Sequence, residues 1–219
     1  IYSLLEARRR EWEGLNVALE QWQAGPSGSE AAQGRLRVAQ TLREAWRNAP
    51  LAEHNPQAAR LSLVCDEPLP ALSTSFSHVR ELSVAGNGMT DGNANAFLAR
   101  FPEVTHLAIG NMERGIDYLM SRTRPLTSLP SAVGQMPRLV SLRFSTHAPA
   151  LAADFPASLG ALTSLETLHI DYAGFDARSL HALDLGALRR LRSLRIDAPY
   201  ALWEWPASVE RLEQLQRLD

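Results

Sequence analysis

Apolar residues keep two different periods along this chain, and the change from one to the other divides it. Over residues 1 to 24, Leu5, Trp12, Leu15, Leu19 and Trp22 recur at steps of seven, three, four and three. Those steps put them on one stripe of a helix and leave Arg8, Arg9 and Glu13 largely off it. The pattern predicts a helix to about Gln23. Gly25-Pro26-Ser27-Gly28 breaks it, and Ser27 with Glu30 has the spacing of a capping box that opens a second helix. The second helix sets Leu36, Ala39, Leu42, Ala45 and Trp46 on one side and ends near Asn48-Ala49-Pro50. Two helices joined by so short a break predict an antiparallel hairpin.

From Ala58 onward the period is that of a repeat. Leu129-Pro130 leads to Val133, Met136, Leu139, Leu142 and Phe144, and Phe155-Pro156 leads to Leu159, Leu162, Leu165, Leu168 and Ile170 at the same offsets. L-x-x-L-x-[LIF] ends in a short strand whose alternate residues point into a core, and the preceding P-x-x-L-x-x-[LM] stretch packs behind it. This is a leucine-rich repeat. One coil cannot bury its own leucines, so neighbouring coils must cover them. Aligning the first strand position of each coil gives Ala58, Val79, Val104, Leu139, Leu165, Leu191 and Leu215, at intervals of 21, 25, 35, 26, 26 and 24. The interval of 35 implies an insertion, most simply within residues 110–125. Asn87 stands at the consensus asparagine of the second coil, where its side chain is expected to bond turn backbone. Met112, His147, Ala173 and Pro199 replace that asparagine later.

The expected architecture is an α/β solenoid of about six to seven leucine-rich coils with a parallel concave sheet. Residues 1–50 are expected to form a helical hairpin that caps the first coil, because a bare solenoid end exposes apolar surface. Residues 51–219 form the repeat array. The chain opens at Ile1 and stops at Leu218-Asp219 inside a repeat, so a piece of a longer protein is expected.

Composition narrows the function. A formal charge of −2 and a pI near 6.3 leave no electrostatic footprint for nucleic acid. No apolar run approaches the roughly 20 residues of a membrane span. A soluble monomer is expected. All 22 basic residues are Arg, with no Lys in the chain, a composition that a GC-rich genome favours. Cys65 is the only cysteine, so neither an internal disulfide nor a cysteine-based zinc site can form. It reads as a small, partly buried residue at a strand end, with no His or Asp at a motif spacing to activate it.

Other motifs fall short. Gly86-Asn87-Gly88 with Gly92 lacks the βαβ setting and the glycine spacing of a dinucleotide loop. Asp91, Asn93 and Asn95 imitate half of a calcium loop, but Ala96 and Pro102 occupy the positions that need Gly and Glu. The histidines show no zinc motif, and His169 with Asp171 supplies only two potential ligands. No catalytic residue, cofactor or metal is predicted.

What remains is the outward face of the sheet. Residues between the leucines form columns. One reads Ser62, Ser83, Ala108, Arg143, His169, Arg195, and the next reads Val64, Ala85, Gly110, Ser145, Asp171, Asp197. The first half is small and neutral; the second sets a cationic row beside an acidic one. One reading is a solvated face whose charges pair with each other, which adds little stability. The other is a recognition patch of Arg143, His169, Asp171, Tyr172, Arg195 and Asp197, since such side chains anchor protein partners. The inserted segment 110–125 is the rival location for a site.

The hairpin LNVALEQWQ…LRVAQTLREAWRN, the entry segment EPLPALSTSFSHVREL and the coils LTSLPSAVGQMPRLVSL and FPASLGALTSLETL together resemble the leucine-rich-repeat region of bacterial type III secreted effectors that are E3 ubiquitin ligases. Two groups are similar: the novel E3 ligase family and the plant-pathogen effector ligases, whose longer Pro-x-x-[LV] repeats are the nearer pattern. The resemblance implies a substrate-recognition arm that binds a host protein on the concave face after secretion into the host cytoplasm. It also implies a catalytic domain outside this chain, so no catalytic residue carries over. The alternative is a structural or adhesive repeat protein without an enzymatic domain.

Overall fold

Two helices open the chain in the computed structural model, which describes residues 2–26, 28–110, 126, 128–146, 157–172, 184–197 and 205–219. α1 (Tyr2–Gln23) and α2 (Ser29–Asn48) run antiparallel. The Trp12 and Trp46 rings meet at 5.0 Å, Arg43 Nε donates to Asn16 Oδ1 at 2.8 Å, and Arg35 Nη1 donates to the Trp22 carbonyl at 3.1 Å.

The hairpin departs from the sequence pattern in three places. α2 starts at Ser29 with Gly28 at the N-cap and no side-chain capping bond, so Glu30 falls on the second helical position, one short of what a capping box needs. The buried face of α2 is Arg35, Val38, Ala39, Leu42 and Ala45, while Leu36 is exposed. Turning Arg35 inward rotates Leu36 out. In α1 only Leu15 and Leu19 are fully buried; Trp12 and Trp22 are half-buried, and Leu5 lies in solvent.

Seven parallel strands follow, hydrogen-bonded in chain order: β1 (Arg60–Val64), β2 (Glu81–Ala85), β3 (His106–Gly110), β4 (Ser141–Thr146), β5 (Thr167–Tyr172), β6 (Ser193–Asp197) and β7 (Arg217–Leu218). This is a solenoid-like α/β fold. The return from β2 to β3 carries the short helix α3 (Ala94–Leu98), and the later returns carry 3-10 turns at Ser131–Gln135, Ala157–Ala161, Leu185–Ala187 and Ala207–Arg211. The register is the one that the leucine spacing predicts. Leu61, Leu82, Leu107, Leu142, Leu168 and Leu194 stack strand on strand, as do Leu63, Val84, Ile109, Phe144, Ile170 and Ile196. Both rows are buried, and each such side chain contributes about 1.5–3 kcal/mol by leaving water.

Backbone bonds repeat with the coils. The Arg80 carbonyl accepts from Thr105 and His106, Thr105 from Val140 and Ser141, Val140 from Glu166 and Thr167, and Glu166 from Arg192 and Ser193. One carbonyl at each strand entry thus takes two amides of the next coil, which pins the register that the leucines select. In the same core Phe101 stacks on Phe76 and meets Phe97 at a tilt, each with ring centroids 5.2 Å apart.

α2 packs on β1. Arg35 Nη2 meets Glu67 Oε2 at 2.9 Å, Trp22 Nε1 donates to the Pro68 carbonyl at 2.7 Å, and Thr74 Oγ1 donates to the Glu11 carbonyl at 3.3 Å. The helices and the first loop of the sheet are therefore tied by polar contacts, two of them partly buried, as well as by apolar ones. Among the described residues no helix is long and apolar enough to cross a membrane.

The turn asparagines also differ from expectation. Asn87 bonds through its backbone N–H and Nδ2 to Asp66 Oδ1, at 3.1 and 3.2 Å, and not to turn backbone. Backbone is held instead by Asn93, which accepts from Thr90 N–H and donates to the Gly88 carbonyl. Asn95 accepts from Ala132 N–H and so bridges two coils. The insertion begins at Gly110, whose φ of +132° and close approach to the Ser145 carbonyl leave no room for a Cβ. Residues 111–125 lie outside the described residues.

Candidate protein-binding face

Alternation along the strands turns every second residue away from the leucine core. On β4, β5 and β6 this aligns Arg143 with His169 and Arg195, and Ser145 with Asp171 and Asp197. Both sequence-predicted columns are therefore assembled at strand spacing, about 4.8 Å per step.

Asp197 is the hub of the patch. His169 Nε2 lies 3.0 Å from its Oδ2, Arg195 Nε donates to the same oxygen at 2.9 Å, and Arg195 Nη2 donates to Oδ1 at 3.3 Å. Burial pushes the Asp197 carboxyl up, but the hydrogen bonds from Arg195 and His169 outweigh it and hold the group below the usual carboxylate range. Asp197 in turn raises the pKa of Arg195, chiefly through its hydrogen bond. The charges thus pair with one another, as the solvated-face reading requires, while staying on the open side of the sheet.

The other predicted residues are placed differently. Among the described residues Arg143 forms no ion pair. Asp171 pairs in register with Ser145 and Asp197 and contributes to the field at Arg195. Tyr172 ends β5 opposite Thr146; its side chain lies outside the described residues. The rival segment does so from residue 111 to residue 125. Ser145 is buried, so the acidic column starts effectively at Asp171.

Sequence reasoning missed a third outward row, Arg60, Glu81, His106 and Ser141. It precedes the first leucine of each strand, and a period of two puts it on the same face. Arg60 Nε meets Glu81 Oε2 at 2.7 Å, and His106 Nδ1 lies 2.9 Å from Thr105 Oγ1. With Ser62, Ser83, Ala108 and Arg143 this row lines a recess of 370 Å³. The small residues that made the early strands look bare are its floor.

Cys65 follows β1 directly and is buried, with its thiol donating to the Glu67 carbonyl at 3.0 Å. Burial pushes its pKa up to about 11, so the thiol stays protonated at neutral pH and is no nucleophile there. Among the described residues no three His, Cys, Asp or Glu side chains gather as a metal site.

No known family model matches the chain, and no curated protein matches it. Among solved structures it is similar to an internalin (inlF) from Listeria monocytogenes, at 16% identity over 72% of this chain with a TM-score of 0.38. The match spans 47% of the internalin chain, about half its length.

Proposed function

We propose that this chain is the partner-recognition domain of a bacterial effector secreted into the host cell, and that it binds a host protein on the concave, outward face of its sheet. In this reading residues 1–50 cap the solenoid, residues 51–219 supply its six to seven coils, and the domain acts as a monomer in the host cytoplasm. The observation that carries the reading is the alignment of Arg143, His169 and Arg195 beside Asp171 and Asp197 on hydrogen-bonded strands. A rigid sheet orders these groups before a partner arrives and removes part of the entropy lost on binding. The arrangement of a helical hairpin before repeats supports a further step, that the domain is the substrate arm of an E3 ubiquitin ligase whose catalytic domain lies elsewhere in the protein. A chain without Lys fits that role, since it offers no side-chain amine for self-modification.

A photo-crosslinking amino acid placed at position 143, 195 or 37 tests the reading in host extract. Positions 143 and 195 on the sheet should capture the same protein, position 37 on α2 should not, and Arg195→Ala should weaken capture from position 143. Capture from position 37 alone would refute the sheet as the contact. Residues 1–219 alone should not discharge ubiquitin from a charged carrier enzyme; discharge by this fragment would refute the division of labour.

A further inference from the structure

The apolar stripe of α1 outruns its partner. It is buried at Leu19 and Leu15 and half-buried at Trp12, and it then continues into solvent, with Leu5 64% and Tyr2 84% exposed. The cause is geometric. α2 ends at Asn48, two residues after Trp46 meets Trp12, so α1 from Tyr2 to about Ala7, roughly 9 Å at 1.5 Å per residue, runs past the end of α2. Large apolar groups left together in this way mark a contact surface.

Charge around the stripe says what would cover it. Leu5, Trp12 and Trp46 with Arg8, Arg9 and Arg47 line a cleft of 250 Å³. The Arg8 guanidinium stacks on the Trp46 ring and that of Arg47 on the Trp12 ring, both at 4.8 Å. Neighbouring Arg9 and Arg10 face Glu13 and Glu6 at 3.5 and 3.7 Å. Arg8 and Arg47, by contrast, form no ion pair among the described residues. A guanidinium whose face is occupied by a ring keeps its edge N–H donors for a carboxylate.

We propose that this open stripe, from Tyr2 through Leu5 to the Trp12–Trp46 pair, docks an acidic amphipathic helix of a partner protein, with an apolar side chain in the cleft and carboxylates on Arg8 and Arg47. A second copy fits less well, because a two-fold contact would set these unpaired guanidinia against themselves. An anionic membrane fits less well too: α1 carries four Glu against three Arg. The contact is separate from the outward face of the sheet.

The test is selection from a displayed library of amphipathic helical peptides with acidic or basic flanks, followed by fluorescence anisotropy of the selected peptides with the whole chain. Acid-flanked peptides should be enriched. Their affinity should fall roughly tenfold or more in Leu5→Ser and in Arg8→Glu with Arg47→Glu, and Arg143→Ala with Arg195→Ala should leave it unchanged. The charge-reversed variant should now prefer basic flanks, and that gain cannot come from misfolding. Four outcomes would overturn the proposal: no enrichment of acidic flanks, equal binding to all variants, a concentration-dependent dimer abolished by Leu5→Ser, or sedimentation with phosphatidylserine vesicles abolished by Leu5→Ser.

Discussion

Glu67→Ala tests how firmly the hairpin is joined to the sheet. The Arg35 side chain is 9% exposed and that of Glu67 29%, with a nitrogen-oxygen distance of 2.9 Å. Beyond Glu67 the guanidinium bonds to the Trp22 carbonyl at 3.1 Å, and its buried Nε has no hydrogen-bond partner among the described residues. Removing the carboxylate therefore strands a buried cation, and breaking such a pair from one side costs about 3–5 kcal/mol. Partial access of water to Glu67 argues for the lower end, about 3 kcal/mol. For a chain of this size each kcal/mol lowers Tm by roughly 2–4 °C, so the variant should melt about 6–12 °C lower. Urea and thermal unfolding followed by circular dichroism measure both quantities. Replacing the pair together, as Arg35→Met with Glu67→Leu, removes the stranded charge and should restore most of the loss. A single-variant loss below about 1 kcal/mol, or a double variant as unstable as the single, would show that the ion pair does not join the two parts.

Leu168→Ala, in a fully buried position of the leucine row, should lose about 2–5 kcal/mol, whereas Ser62→Ala on the outward face should change stability by less than about 0.5 kcal/mol; urea midpoints decide. The Asp197 carboxyl is held below its unfolded value, so its stabilisation is present above the ordinary titration near pH 4 and is lost as pH falls through the lower folded value. Tm measured between about pH 5 and about pH 3 should accordingly fall less steeply in Asp197→Asn than in the unaltered chain. Cys65, pushed up to about 11, should react with a thiol reagent at neutral pH only as fast as the chain opens, and in urea it should react at the rate of a free thiol. Its raised pKa also makes the chain lose stability as pH rises from about 8.5, the unfolded value, toward 11, a loss absent in Cys65→Ala.

The strand register was legible because one local rule governs it: L-x-L alternation sends every second side chain inward, so an alignment of leucines is also an alignment of outward columns. The existence of both helices was legible for a similar reason. The face of α2 was not, because Arg35 is buried by a partner 32 residues away, and no periodicity reveals a buried cation. Asn87 misled because the repeat consensus predicts a backbone bond, while Asp66 on the preceding coil takes its donors. The row Arg60, Glu81, His106 and Ser141 obeys the same alternation, one position before the first leucine of each strand, so its place on the outward face is written in the sequence. The convergence of His169 and Arg195 on Asp197 was only half legible. The columns were predicted, but which charges meet depends on side-chain reach across strands 28 residues apart in sequence.

Pairing within the outward cluster does not argue against its use in binding, because a guanidinium carries more donors than one carboxylate occupies. Asp197 takes Nε and Nη2 of Arg195, which leaves Nη1 without an acceptor among the described residues, and it takes only Nε2 of His169. The carboxylate therefore holds the Arg195 and His169 side chains in place without using up their hydrogen-bonding capacity, and so lowers the rotamer entropy that a partner would otherwise have to remove. Arg143 stands on β4, beside His169 and two strands from Asp197, with no ion pair among the described residues. In the proposed interface these two kinds of arginine should respond differently to substitution. Truncating Arg143 removes a contact and nothing else. Asp197→Asn leaves every contact atom of Arg195 and His169 present but loosens both side chains, so binding should weaken with a larger entropic loss while the leucine core beneath keeps its register.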